Sequence, residues 1–260
     1  MLKEFGVEHR ERRPSRSNLL DRDMKAKLLS AGARNDYVRK VATLNFYRAG
    51  RCDIDFVVGH LQRRQAKPTD QDACDLKHLL GYLNRFPDRP MIYEPKDSQL
   101  RGYCDASFNL EDSNSYFGYL YSVGGATIAH KGGKLKQVYR SSHETEGGSV
   151  NEGVSEFLWA RDVMVELGYP QDAIPIAEDN ESLIRVYQND RRNLQTKSKH
   201  VRIKWKFFRQ QRENGLVYLT YCPTEVMRAD ILTKPVGGSA LSNHTDAILH
   251  GKLEDDWDLR

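Results

Sequence analysis

Four acidic residues stand where a carboxylate is either costly or well placed for chemistry. Asp105 lies within the apolar stretch Tyr103-Cys104-Asp105-Ala106-Ser107. A carboxylate inside an apolar strand costs free energy unless it is paired or bound to a cation. Asp179 falls just past Ile174-Pro175-Ile176-Ala177 and precedes Asn180. Glu146 stands at the start of a long helical stretch, and Asp230 lies in Arg228-Ala229-Asp230-Ile231-Leu232. Strand ends and helix starts meet at the carboxyl edge of an α/β sheet, where ligand sites form. Four carboxylates gathered there suit hard, oxygen-preferring cations such as Mg²⁺ or Mn²⁺. Two such ions about 4 Å apart activate a water and stabilise the leaving oxygen of a phosphodiester. Each acid also has a plainer reading: a dipole partner for Glu146, a turn for Asp179-Asn180, a surface acid for Asp230. Periodicity alone leaves both readings open.

The elements that would position these acids follow from the hydrophobic period. Residues 1–35 are charged and interrupted by Pro14, Gly32 and Asn35, so they read as a loosely packed arm with a short helix at 21–30. Helical spacing starts at Tyr37, and a second helix is predicted from Asp53 to Arg64. Thr69 is a natural N-cap, with Asp70 and Asp72 in the first turn of a third helix running to Asn84. After Pro95 the period changes to that of strands. Leu100–Phe108, Tyr116–Val123 and Ala126–His130 read as a meander with Gly124-Gly125 as the tight turn, continued by Lys134–Arg140. A helix from Glu146 to Leu167 follows, with Phe157, Ala160, Val163, Met164 and Leu167 as its core face. Ile174–Ala177 is a short buried strand, Glu181–Gln188 a helix, Ser198–Arg212 a basic helix and Leu216–Tyr221 a last strand. A final helix is predicted from Pro223 through Leu232, and the tail, 239–260, reads as frayed or dependent on a partner. Antiparallel strands followed by helix-connected strands predict a mixed α/β sheet flanked by helices.

Composition narrows the class. The chain has 260 residues, 40 Lys/Arg and 36 Asp/Glu, for a net charge of +4. No apolar run reaches the roughly 18 residues that a membrane-spanning helix needs. The N-terminus carries Glu4, Glu8 and Glu11 and no apolar core, which fits neither a secretory signal nor an acid-poor transit peptide. Cys52, Cys74, Cys104 and Cys222 are scattered, which signals reduced thiols in an intracellular protein rather than a disulfide or zinc framework. The strongest anomaly is Arg191 to Arg212, with nine Lys/Arg and no Asp/Glu.

At the acids the sequence resembles the C-terminal part of the Pol polyprotein of Ty1/copia-type LTR retrotransposons, where a ribonuclease H domain follows the reverse transcriptase. The carrying segments are Tyr103–Ser107, Ser141-Ser142-His143-Glu144-Thr145-Glu146, Glu178-Asp179-Asn180-Glu181-Ser182, Lys199-His200-Val201-Arg202-Ile203, and Pro223-Thr224-Glu225 through Ala229-Asp230-Ile231-Leu232-Thr233-Lys234-Pro235. Upstream, Arg51-Cys52-Asp53-Ile54-Asp55-Phe56 is similar to the segment after the polymerase palm. The resemblance implies an RNase H-like fold with a five-stranded mixed sheet. It implies a catalytic and metal-binding set of Asp105, Glu146, Asp179 and Asp230 for two Mg²⁺, or Mn²⁺, with Glu144 as the rival of Glu146. It implies three parts: a helical thumb- or connection-like segment over 1–97, an RNase H-like domain over 98–238, and a tail over 239–260. Gly147-Gly148 departs from the family pattern, at a cost of about 2 kcal/mol in a helix interior.

Under the resemblance the basic stretch becomes a backbone-phosphate surface, carried by Lys197, Lys199, His200, Arg202, Lys204, Lys206 and Arg209, with Trp205, Phe207 and Phe208 packed on the sheet. Lys131, Lys134, Lys136 and Arg140 offer a weaker patch. The implied function is hydrolysis of the RNA strand of RNA/DNA hybrids by a retrotransposon reverse transcriptase. The alternatives are a domesticated, inactive module that binds RNA or serves as a structural subunit, and a segment that works only with polymerase domains. No Tyr-x-Asp-Asp segment is present, so polymerisation is not expected of this chain. The expected partners are a hybrid or RNA, polymerase palm and fingers or a ribonucleoprotein assembly, and no membrane. The expected setting is a cytoplasmic particle or the nucleus.

Overall fold

The structure is a computed structural model that describes residues 2, 4–21, 23–108, 115–137, 139, 141–188, 199–251 and 253. Three helices open the chain: α1 (Ala31–Tyr47), α2 (Asp55–Arg63) and α3 (Asp70–Arg85). Ser30 caps α1 by accepting from the Ala33 amide, so the helix starts six residues before Tyr37 and takes in Gly32. No helix forms at 21–30, where Leu28 instead bridges Thr69. The predicted start of α3 holds, with Thr69 and Asp72 forming a reciprocal capping box. The predicted second helix begins as a 3₁₀ turn, Cys52–Ile54, before α2.

The sheet contains β1 (Leu100–Ser107), β2 (Tyr116–Val123), β3 (Ala126–Lys134), β4 (Ile174–Glu178) and β5 (Val217–Tyr221). Their order is β3-β2-β1-β4-β5, with β1–β2 and β2–β3 antiparallel and β1–β4 and β4–β5 parallel. This is the five-stranded mixed sheet of the RNase H-like class. Gly124 and Gly125 both take positive φ, 52° and 83°, as the β2–β3 turn requires. β3 is one strand through Lys134, and Leu135–Gln137 and Tyr139 do not continue the meander; Val138 and Arg140 lie outside the described residues.

Helices cover both faces. α4 (Ser142–Glu166), α5 (Glu181–Gln188) and α6 (Lys199–Glu213) pack on one face, while α7 (Asp230–Thr233) and α8 (Gly238–Leu249) pack on the other. The predicted core face of α4 is displaced. Burial concentrates from Thr145 to Phe157 and Ala160, whereas Val163 and Met164 are half-buried and Leu167 is 66% exposed. Met164 still packs against the core, and past it the apolar spacing continues into solvent at Val165 and Leu167.

The last predicted helix is interrupted. Thr224–Val226 is a 3₁₀ turn, and the α-helix resumes at Asp230. The first part of the predicted frayed tail is in fact α8, which buries Leu241, Ile248 and Leu249; residues 252 and 254–260 lie outside the described residues. It is sewn in by Thr127, whose hydroxyl donates to the Ile248 carbonyl at 2.9 Å, and by the Ile92 amide, which donates to the Leu249 carbonyl at 2.6 Å. The N-terminal arm is also packed rather than loose: Leu19 is buried, and the Glu11 amide donates to the Gly81 carbonyl.

Candidate active site

β1 alternates across the sheet. Gly102 and Cys104 face α4, while Tyr103 and Asp105 face α7. Asp105 pairs in register with Gly118, and Gly118 with Gly132, so a row without side chains runs outward from the acid. α7 lies in that trough. A Cβ on Gly118 would stand 2.6 Å from the Leu232 Cβ, and one on Gly132 would stand 2.7 Å from the Leu232 carbonyl oxygen. The close approach brings the Thr233 hydroxyl onto the Asp105 carboxylate, to which it donates a hydrogen bond.

On the other face, the start of α4 is closely packed by α6 and by Tyr139. A Cβ on Gly147 would meet Trp205 Nε1 at 2.7 Å, and one on Gly148 would meet the Tyr139 oxygen at 2.7 Å. The glycine pair is therefore a packing requirement, not a loosening of the helix start. Ser149 completes the seam, its hydroxyl 2.6 Å from the Asp105 carbonyl and 3.1 Å from the Gly118 carbonyl. Ser141 caps α4 by accepting from the Glu144 amide, which puts Glu146 in the second turn rather than at the helix start.

Asp105, Glu146 and Asp179 each offer one carboxylate oxygen within 4.8 Å of the others. Each has a donor from another element: Thr233 for Asp105, the Ala106 amide for Glu146, and the Thr224 hydroxyl at 3.0 Å for Asp179. Glu144 is not in this group. Asp230 stands beside it, ion-paired with Lys234 at 2.7 Å.

Burial pushes the Asp105 carboxyl up to about 8, with the negative charge of Asp230 adding to the rise. Burial and then Glu178 push Glu146 well above the usual carboxylate range. Burial also raises Asp230, against the pull of Lys234. For Lys234, the carboxylates of Asp105 and Asp230 outweigh desolvation and raise the ammonium. Carboxylates crowded and desolvated in this way disfavour their own charge. Glu146 Oε2 is buried without a hydrogen-bond partner among the described residues. An all-oxygen donor set with an unmatched buried oxygen fits a hard divalent cation.

Sequence reasoning missed Glu178, Thr233 and Lys234. Glu178 is 0% exposed, accepts from the Asn180 amide at 3.1 Å, and borders the cluster from the end of β4. Its signal is an acid directly after the apolar run Ile174–Ala177.

From Lys199 on, the basic stretch forms helix α6; residues 191–198 lie outside the described residues. Arg202 and Lys206 are exposed and Arg209 is half-buried. Lys204 is not a free cation, because it pairs with Glu152 at 3.1 Å. Lys197 lies outside the described residues; Lys199 and His200 belong to α6, but their side chains are not described. Trp205 and Phe208 are buried against the sheet as predicted, whereas Phe207 is 38% exposed. Lys131, Lys134 and Lys136 are exposed near the end of β3. His143 is held by Ser182 at 3.1 Å, and burial lowers its ring.

No protein-family model matches the chain. Among solved structures, it is similar to LC11-RNase H1 in complex with an RNA/DNA hybrid, at 13% identity and a TM-score of 0.41, covering 51% of this chain and 92% of that one. It is also similar to RNase H1 of the halophilic archaeon Halobacterium salinarum NRC-1, at 12% identity and a TM-score of 0.36, covering 50% and 90%. Among curated proteins, it is 29% identical over 217 residues, 82% of this chain, to the retrovirus-related Pol polyprotein from transposon RE1 of Arabidopsis thaliana. A second relative is the Pol polyprotein from transposon TNT 1-94 of Nicotiana tabacum, at 27% identity over 72% of the chain. The chain spans about 15% of the length of these relatives. Its homologues are thus retrovirus-related Pol polyproteins of copia-type transposons.

Proposed function

We propose that this chain hydrolyses the RNA strand of RNA/DNA hybrids as the ribonuclease H part of a retrotransposon reverse transcriptase, leaving 5′-phosphate and 3′-hydroxyl ends. The observation that carries this reading is the convergence of Asp105, Glu146 and Asp179 within 4.8 Å at one sheet edge. These three would hold the cations, and Asp230 would complete the second site. Bound Mg²⁺ or Mn²⁺ ions supply water activation and neutralise charge at the leaving oxygen.

The chain's own residues supply orientation. Thr233, the Ala106 amide and Thr224 fix the three carboxylates before substrate arrives, so no reorganisation is needed at the reaction. Lys234 holds Asp230 in place beside Asp105. Arg202, Lys206 and Arg209 of α6 would bind backbone phosphates, with affinity that falls as salt rises. Selection of a hybrid would rest on duplex shape and 2′-hydroxyls. Residues 1–97 would serve as the thumb- or connection-like part, joined in the natural setting by polymerase domains.

The test is cleavage of a labelled RNA/DNA hybrid with Mg²⁺, with single-stranded RNA and RNA duplex as controls. Hybrid-only cleavage that Asp179→Asn abolishes is the expected result. Salt-sensitive binding with no cleavage in either protein would favour an inactive RNA-binding module instead.

A further inference from the structure

A second basic feature lies in the helical part of the molecule. Arg10, Arg12, Arg13 and Arg16 of the N-terminal arm, with His78 and Arg85 of α3, line a polar recess of about 820 Å³. The arm is anchored along one face of α3. His9 Nε2 lies 2.8 Å from the Lys77 carbonyl, the Glu11 amide donates to the Gly81 carbonyl at 3.1 Å, and Asn84 donates to the His9 carbonyl at 3.0 Å. His78 Nε2 sits 3.0 Å from the Arg13 carbonyl, and Arg16 pairs with Asp75 at 3.3 Å. Gly81 makes the approach possible, since a Cβ there would stand 2.6 Å from the His9 ring.

Arg10, Arg12, Arg13 and Arg85 are exposed, and no acid pairs with them among the described residues. The acid in the lining, Glu11, lies 3.6 Å from His78. Three unneutralised guanidinium groups on the anchored arm and a fourth on α3 form a preorganised anion seat. A duplex strand presents one phosphate about every 3.4 Å of axis, so separated guanidiniums suit a row of phosphates better than a single anion.

We propose that this recess is a second nucleic-acid contact, seating consecutive phosphates of a duplex strand. It rests on the ribonuclease reading only in taking nucleic acid as the polyanion.

The test uses the full chain carrying Asp179→Asn, with and without Arg10→Gln, Arg12→Gln and Arg13→Gln together. Binding of a fluorescent hybrid is followed between about 50 and 200 mM salt. The triple variant should flatten the log–log salt slope by about 2 to 3 and weaken binding at least tenfold at the lowest salt. Arg85→Gln alone should flatten it by about 1, and Lys206→Gln on α6 should add its own increment of about 1. An unchanged slope in the triple variant overturns the proposal. So does equal loss of affinity for inorganic polyphosphate and for the hybrid, which would make the recess a general polyanion seat. A changed slope in a protein whose Asp179 form never cuts the hybrid would leave the recess standing and remove the ribonuclease reading. Normal cutting with an unchanged slope would do the reverse.

Discussion

Among the described residues, two groups of buried acids are handled in opposite ways. In the helical part, Asp53 is gripped by Arg51 through two 2.8 Å hydrogen bonds and accepts a third from the Tyr82 hydroxyl at 2.7 Å. Asp55 contacts Arg48 and His130 together, tying α2 to β3. In the sheet, Asp105, Glu146 and Glu178 lie as deep but raise one another's pKa, with the single ammonium of Lys234 paired to Asp230 and shared with Asp105. The first set is neutral as built. The second is built to be neutralised from outside. Burial alone therefore does not mark a functional acid; burial without an internal counter-charge does.

The comparison is broken most forcefully at the sheet. Asp105→Asn should lower hybrid cleavage by roughly 10³-fold, the scale for losing a preorganised charge-stabilising group; near wild-type turnover would place the chemistry elsewhere. In the helical set, Arg51→Met should destabilise the fold by about 3 kcal/mol, because it strands a buried aspartate. Denaturant unfolding measures this, and an unchanged midpoint would mean that Tyr82 and Arg89 suffice.

The sets should also respond differently to pH. Asp105 is raised from 3.8 to about 8, so between those values the folded chain holds a proton that the unfolded chain has released. The Asp105 contribution to metal-free stability should thus be fully present below about pH 4 and be lost as pH rises toward 8, a change on the order of 5 kcal/mol at about 1.4 kcal/mol per pH unit. Asp105→Asn should flatten that decline, and Mg²⁺ should restore stability to the natural chain but not to the variant. Thermal unfolding at several pH values decides it.

A smaller effect is expected at the helix that carries Glu146. Gly148→Ala should cost about 1–2 kcal/mol, because the clash with Tyr139 outweighs the helical preference for alanine. At the bottom of the scale, Glu181→Gln breaks an ion pair of 2.6 Å whose side chains are 72% and 59% exposed. It should move stability by less than about 0.5 kcal/mol.

Much of this was legible beforehand. The β2 boundaries, the Gly124-Gly125 turn and the Thr69 cap follow from period and turn chemistry, which act locally. Asp105 and Asp179 are legible as candidates because one interrupts and the other follows an apolar strand, and Glu146 because it stands at the start of a helical stretch. What escaped depends on partners distant in sequence. Gly147-Gly148 looks like a weakness until Trp205 and Tyr139 are set against it. The apolar residues at the end of α4 look like core because periodicity reports a face and not whether anything covers it. The arm and α8 read as loose because their anchors are backbone carbonyls of α3 and contacts to β3, which no side-chain pattern announces. Lys204 read as a free cation because Glu152 lies far from it in sequence.

The core layer beneath α7 and α8 joins Cys52, Tyr103 and Leu120 to Ile248 and Leu253. The Tyr103 hydroxyl even donates to the Leu253 carbonyl at 3.3 Å. During synthesis, the segment around Cys52 must therefore wait for some two hundred further residues, about 10 to 40 seconds at ordinary elongation rates. The α4 face of the sheet, completed by Leu219, closes sooner than the face that brings Asp230 to Asp105. A nascent chain thus acquires its sheet before its full set of acids, and the site is finished only once α7 has been made.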